Sequence, residues 1–301
     1  MSERTPWITA CIPTFRAHRY LRQSVLSLLG QTHWKVRVVV INDGDGSSPW
    51  PMLSDIGDPR LVRFDIAPNR GPYFCRAIAA AATVDDWLFV QDADDWSAPE
   101  HLAHLLSACL DTRADFAFAT QSQYVESPGG LAFHSRAFPA GPRPVDRALL
   151  YRAPHHGLFR RRFLQEIGGL FCGYRFGYDL LLMNLVLMAG TIAWVNAPLC
   201  CRRLRAGSLT EASETGYGSL GRQAVDAQLA RIYSSVFEAY GVYRQGRITI
   251  DGLRSRIRAL VDYNAAGDDR AAIAALASRL RSGLQFQSRL MTVDEALTDV
   301  W

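Results

Sequence analysis

The first half of the chain switches repeatedly between two hydrophobic periods. Residues 7–13 (WITACIP) form a short apolar run ended by Pro13, and His18 to Leu29 places Leu21, Val25, Leu28 and Leu29 at helical spacing. The β-branched run VRVVVIND (36–43) reads as a buried parallel strand and stops in the turn-rich GDGSSP. LVRFDI predicts a third strand, Tyr73 to Ala82 a second helix and WLFVQD a fourth strand. Ser97 to Cys109 predicts a third helix, with Ser97 as N-cap and Pro99 and Glu100 in its first turn. FAFATQSQY follows as a fifth strand. Strand alternating with helix predicts a doubly wound α/β sheet.

From Val125 to Ser213 the pattern is less regular. PGG at 128–130 is a turn, LAFHSRAF alternates like an edge strand, and Arg160 to Ile167 predicts a short helix closed by Gly168 and Gly169. Tyr178 to Ala189 is an apolar helix ended by Gly190, and TIAWV is a further strand. Beyond about Ser219 the period is helical throughout. Segments Ser219–Tyr240, Ile250–Tyr263 and Arg270–Leu284 are separated at Gly241, Gly246 and Gly267. The chain thus divides into residues 1–124, 125–215 and a helical tail at 216–301, a candidate surface for self-association.

Composition narrows the class. With 49% hydrophobic and 21% charged residues the chain can bury a sizeable core, which excludes a disordered or collagen-like protein. A net charge of +4 over 301 residues is too small to argue for nucleic-acid binding. Lys35 is the only lysine, so nearly all the positive charge is guanidinium, the better bidentate partner for phosphate and carboxylate. The six cysteines show no CxxC spacing and lie mostly in apolar runs, as buried free thiols of a reducing compartment do. The N-terminus shows no signal-type apolar region, and the longest apolar stretch, Leu180 to Trp194, is too short to span a bilayer. These features predict a cytoplasmic protein without an integral membrane segment.

Candidate chemistry concentrates at QDADDW, residues 91–96, where Asp92, Asp94 and Asp95 crowd the end of the strand WLFV. Ligands bind at that edge of an open α/β sheet, and carboxylates clustered there repel one another unless they share a cation, for which oxygen donors suit Mg²⁺ or Mn²⁺. An acidic turn capping the next helix accounts for the same residues. Asp43 ends another strand at the same edge, and with Pro13, Thr14 and Phe15 it outlines a crevice. Asn69, Arg70, Gly71 and Arg76 open the next helix, where arginines near a helix N-terminus favour phosphate. His155 and His156 suggest a metal, yet neighbours on a strand point to opposite faces, so ligation by both is not expected.

ACIPTFRAHRYLRQSVLSLLGQTHWKVRVVVINDGD, then NRG, then FVQDADDWSAPEHL, resemble the first half of family 2 glycosyltransferases, and the resemblance runs from about Ile8 to Thr210. It implies the GT-A fold: a Rossmann-like mixed sheet flanked by helices, here with a C-terminal helical extension. It also implies a nucleotide-sugar donor held over the strand ends. On that resemblance Pro13, Thr14 and Phe15 line the base pocket and Asp43 hydrogen-bonds the base, typically uracil. Arg70 and Arg76 match basic positions that close the pocket. Asp92 and Asp94 match the DxD motif, Asp92 near the ribose and Asp94 on a Mn²⁺ or Mg²⁺ ion, with Asp92 part of the metal site.

HHGLFRRRFLQEIGGLF resembles the acceptor-side segment, and FGYDLLLMNLVLMAG the helix whose start carries an acidic pair, the second acid being the general base. Here the chain departs from the pattern. Anchored on Gly190 without a gap, Asp179 takes the base position and Tyr178 that of the other acid; the alternative register puts Gly177 there and leaves no base. A helix N-terminal acid favoured by the dipole accounts for Asp179 as well. In RRLRAGSLT, Arg205 holds the place of a histidine or arginine that faces the diphosphate. The resemblance implies an inverting transfer from a nucleoside diphosphate sugar, a UDP-sugar by the uracil match, to an acceptor hydroxyl or amine. A sugar nucleotidyltransferase fits less well, because PTFRAHR lacks the glycine and lysine of a triphosphate loop. A non-catalytic nucleotide-sugar-binding module is the remaining alternative. The acceptor, a small molecule or a glycan, is not legible.

Overall fold

The computed structural model describes residues 5–298, with side chains to residue 285. The chain runs β1 (Ile8–Thr14), α1 (His18–Leu29), β2 (Val36–Asp43), β3 (Leu61–Ile66), α2 (Pro72–Ala82), β4 (Trp87–Val90), β5 (Trp96–Ser97) and α3 (His101–Thr112). It continues through β6 (Phe116–Ser127), β7 (Gly130–Ala137), β8 (Leu158–Arg160), α4 (Arg161–Glu166), α5 (Tyr178–Ala189) and β9 (Ile192–Leu204). Helices α6 (Leu220–Arg244), α7 (Ile250–Asn264) and α8 (Gly267–Thr298) complete it.

One mixed sheet in the order β3-β2-β1-β4-β8-β6-β9-β5, with β7 paired on β6, organises these elements. β1 is parallel to β2 and to β4, and β2 to β3. Strand β8 inserts antiparallel between β4 and β6 and breaks the parallel series. Every residue of β1 and β2 is buried, as expected for parallel strands covered on both faces. The alternation along β2 sends Val38 and Val40 to the face covered by α1 and α3, and Val39 and Ile41 to the opposite face. That second core takes residues from α2, α4 and α5 and equally from the tail: Leu229 and Tyr233 of α6, Leu253 and Ile257 of α7, Leu280 and Leu284 of α8. The sheet with flanking helices and a helical C-terminal region matches the architecture that the resemblance implied.

Three local expectations are corrected. Ser97 does not cap α3, which starts four residues later at His101. It sits in β5 opposite Cys200 of β9, because Ala98 precedes a proline and is kept extended, its N–H donating to Leu199 O at 2.8 Å. Gly241 does not end a helix, since α6 runs on to Arg244 with Tyr240 and Tyr243 packed against the core. That packing outweighs the roughly 1 kcal/mol that glycine costs inside a helix. TIAWV is only the start of a 13-residue strand: β9 pairs with β6 on both sides of a register shift near Ala119, and Pro198 and Asn196 had hidden its second half.

Candidate active site

The strand order reverses between β1 and β4, and there the chain leaves both strands on the carboxyl side of the sheet, where α/β sheets take ligands. A cleft of about 530 Å³ opens at this point. Pro13, Thr14 and Phe15 from the end of β1, Asp43 from β2, Arg76 from α2, Asp92 and Asp94 after β4, Asp179 from α5 and Arg205 after β9 all line it. Thr14 Oγ1 is buried there without a hydrogen-bond partner. Of the predicted site residues only Arg70 is outside the lining: its guanidinium turns to Asp269 of α8 and lies 4.4 Å from the Phe74 ring.

At one end of the cleft Asp43 fixes the turn before α2. Its Oδ1 accepts the Arg70 N–H at 2.8 Å, and its Oδ2 accepts the Gly71 N–H at 2.8 Å and the Asn69 amide at 3.0 Å. Burial pushes this carboxyl up, and the two backbone N–H groups oppose the shift. Gly71 is required: its φ is +92°, and a Cβ there would lie 2.0 Å from Arg175 O.

The acidic turn sorts its three carboxylates. Asp92 is gripped by Arg76, which is buried and reaches it from α2, while Asp92 Oδ2 accepts from His156 Nε2 at 3.0 Å. Burial opposes ionisation of Asp92, yet Arg76 and then His156 override it and hold the carboxyl well below the usual carboxylate range. Asp94 Oδ2 accepts from Arg205 Nε at 2.7 Å; burial and the neighbouring Asp92 charge push its pKa up. Asp95 turns inward, accepts the Arg203 N–H at 2.8 Å and is pushed up to about 7, chiefly by burial. Its part is to bind β9 to the turn.

Asp179 stands in the first turn of α5, where Gly177 starts the helix at φ +81° and Tyr178 is wholly buried. Both register positions, Gly177 and Asp179, line the cleft, and only Asp179 brings a carboxylate to it; Tyr178 points into the core. His155 links it to the acidic turn, with Nδ1 3.8 Å from Asp179 Oδ2 and Nε2 3.7 Å from Asp92 Oδ2. Of the two histidines His155 lines the cleft, and His156 lies behind it, buried. Both precede β8 in an irregular segment, their rings lie 4.0 Å apart, and both turn to Asp92. Strand alternation does not apply where there is no strand.

Other lining residues carried no signal in the sequence. Arg202 faces the cleft from β9, with its pKa raised above the usual range because Asp95, Tyr151 and Asp92 outweigh its burial. Most of one wall comes from the turns between β9 and α6, including Ser208, Thr210 and Tyr217, which are types common in any loop. Among the described residues no helix is long and apolar enough to cross a membrane, and all six cysteines are free and buried.

A cleft at the switch point of such a sheet, lined by acids and arginines, lies where α/β folds take their ligands. The family model for glycosyl transferase family 2 matches residues 9–168, more than half of the chain, and the protein belongs to that family. It is 28% identical over 130 residues to an uncharacterized glycosyltransferase of Haemophilus influenzae, covering 42% of this chain and 48% of that one. It is 24% identical over 200 residues to the succinoglycan biosynthesis protein ExoO of Rhizobium meliloti, covering 62% and 58%. The chain thus spans about half the length of these curated relatives. Among solved structures it is similar to residues 1–349 of S. aureus TarS in complex with UDP-GlcNAc, with TM-score 0.58 and 14% identity over 93% of this chain and 91% of that one. The complex of the same protein with UDP gives 0.56 and 13% over 98% and 92%. These likenesses establish the GT-A type of fold.

Proposed function

We propose that the protein transfers a sugar from a UDP-sugar to an acceptor hydroxyl or amine, with inversion at the anomeric carbon. The observation that carries this reading is the convergence on one cleft of a donor half (Thr14, Asp43, Asp92, Asp94) and a further acid, Asp179, supplied by a different element. UDP and UDP-GlcNAc complexes of the structurally similar TarS support the donor class.

In this reading the base lies against Pro13, Thr14 and Phe15. Asp43, fixed by the Asn69–Gly71 turn, accepts from the uracil N3–H. Asp92, kept ionised by Arg76, accepts from the ribose. Arg205 and Arg202 face the diphosphate and offset the charge that grows on it as the sugar leaves. Asp179 accepts the proton of the attacking hydroxyl or amine from the opposite side. Asp92, Asp94 and Asp95 offer carboxylate oxygens within 4.8 Å of one another, so the residues present fit a divalent cation, and Asp92 and Asp94 would hold it. When bound, such an ion supplies charge neutralisation of the diphosphate.

The test is a calorimetric titration of UDP, GDP and ADP in Mn²⁺ and then in EDTA. UDP is expected to bind tightest and to lose affinity in EDTA. Preference for another nucleotide rejects the uridine donor, and equal UDP affinity in both buffers rejects the metal.

A further inference from the structure

Arg222 lines the cleft from the first turn of α6 and is only 7% exposed. Its backbone N–H donates to Ser219 Oγ at 3.1 Å and its Nε to Thr215 O at 3.1 Å, so both ends of the side chain are fixed. The guanidinium carbon lies 5.1 Å from the centroid of the Phe176 ring and 5.4 Å from that of Tyr217, two aromatic faces that favour a cation. Nη1 packs over the start of α5, where a Cβ on Gly177 would lie 2.8 Å from it. Among the described residues no carboxylate forms an ion pair with this guanidinium, and no hydrogen bond claims Nη1 or Nη2. Even Asp226, one turn along α6, leaves its own Oδ1 buried without a partner. A largely desolvated charge without a counter-ion costs free energy until an anion completes it.

Gly177 stands two residues before Asp179, both line the cleft, and no side chain caps the first N–H groups of their helix. Close to Asp179, His155 and Tyr73 also line the cleft, with both ring nitrogens and the hydroxyl buried and unpartnered. Polar atoms sealed in this way wait for a ligand to pair them. We infer that the acceptor is an anion: Arg222 takes its carboxylate or phosphate group beside the start of α5, while its attacking hydroxyl or amine faces Asp179. The planar fork of a guanidinium matches either group bidentately. Arg202 and Arg205 face the donor diphosphate, so the charge of Arg222 is left for the acceptor. This assignment rests on the reading of the cleft as a sugar-transfer site with Asp179 as its base.

The test titrates the full chain, with and without UDP, with methyl glucoside, methyl glucuronoside and glucose 6-phosphate, followed by saturation-transfer NMR. At least one charged sugar is expected to bind about tenfold or more tighter than the neutral one, the gain of one charge-assisted contact. Which of the two it is tells a carboxylate acceptor from a phosphate one. Arg222→Gln should remove the preference, and Arg222→Lys should keep only part of it, because the charge stays and the fork is lost. UDP affinity should be unchanged in both. Arg16→Gln, which alters an exposed arginine of the same cleft, should keep the full preference. Circular dichroism checks the folds; should the glutamine variant not fold, an undiminished preference in Arg222→Lys overturns the inference. It is equally overturned by an unmodified chain that binds no charged sugar in preference to the neutral one, or by a preference that survives Arg222→Gln. A loss of UDP affinity in Arg222→Gln also overturns it, by assigning Arg222 to the donor. UDP binding without an anion preference defeats only this inference, and an Arg222-dependent preference in a chain that does not bind UDP defeats only the donor assignment.

Discussion

Three acids of one turn meet different sets of neighbours, and their roles diverge accordingly. Asp92 answers to Arg76 and the imidazoles, Asp94 to Arg205, and Asp95 to a backbone N–H of β9 and, at 3.3 Å, to His156 Nε2. Spacing alone does not distinguish them; a guanidinium from α2 and another from beyond β9 do. Asp179 has none of these contacts; His155 Nδ1 lies 3.8 Å from its Oδ2. Asp179→Asn keeps the shape of the site and removes the carboxylate that we propose as proton acceptor. Transfer to acceptor should fall by about 10²–10⁴-fold with UDP affinity unchanged, the range for general base catalysis. Near-normal transfer by Asp179→Asn, measured beside UDP affinity, would remove Asp179 from the mechanism.

Among the elements, the turn between β3 and α2 shows how strictly the site is built. Gly71 passes under the Arg175 carbonyl at a positive φ while giving its N–H to Asp43. Gly71→Ala adds the left-handed strain of about 1–2 kcal/mol to a backbone clash. Its unfolding free energy should drop by at least about 2 kcal/mol, and nucleotide binding should weaken with it, as thermal melts with and without UDP would report. The parallel strands and α1, α2 and α5 were legible because long apolar runs bounded by Gly, Pro or Asp leave few alternatives. What escaped depends on distant partners. Ser97 reads as a helix cap until Cys200 arrives beside it, and the second half of β9 is extended only because β6 lies alongside. Pro13, Thr14, Phe15, Asp43 and Asp92 sit at or beside those legible strand ends. The histidine pair and the wall after β9 sit on irregular backbone, where no periodicity fixes which way a side chain points.

At the scale of the whole molecule, buried ionisable groups set how the fold responds to acid. His101 is fully enclosed against the Phe89 ring, with Nδ1 bonded to Ser97 Oγ at 2.9 Å, and burial lowers its pKa to about 3. The unfolded chain binds this proton near pH 6.5 and the native one does not. Native stability contributed here is therefore present above pH 6.5 and declines as pH falls toward 3, by about 1.4 kcal/mol per unit. His101→Gln should unfold with a shallower loss of stability between pH 6.5 and 4, read from denaturant midpoints across that window. An unchanged slope would mean that His101 takes up its proton in the folded state.

The turns between β9 and α6 wall the cleft, yet the helices beyond them share their apolar core with α2 and α5. Connection by chain and cohesion by packing are thus carried by different parts of the protein. Glu211 and Glu214 are exposed on these turns. Hydrolysis after either by a glutamate-specific protease should leave two polypeptides that migrate as one particle under native conditions. They should separate only in denaturant, and the nicked protein should lose nucleotide affinity without losing its shape.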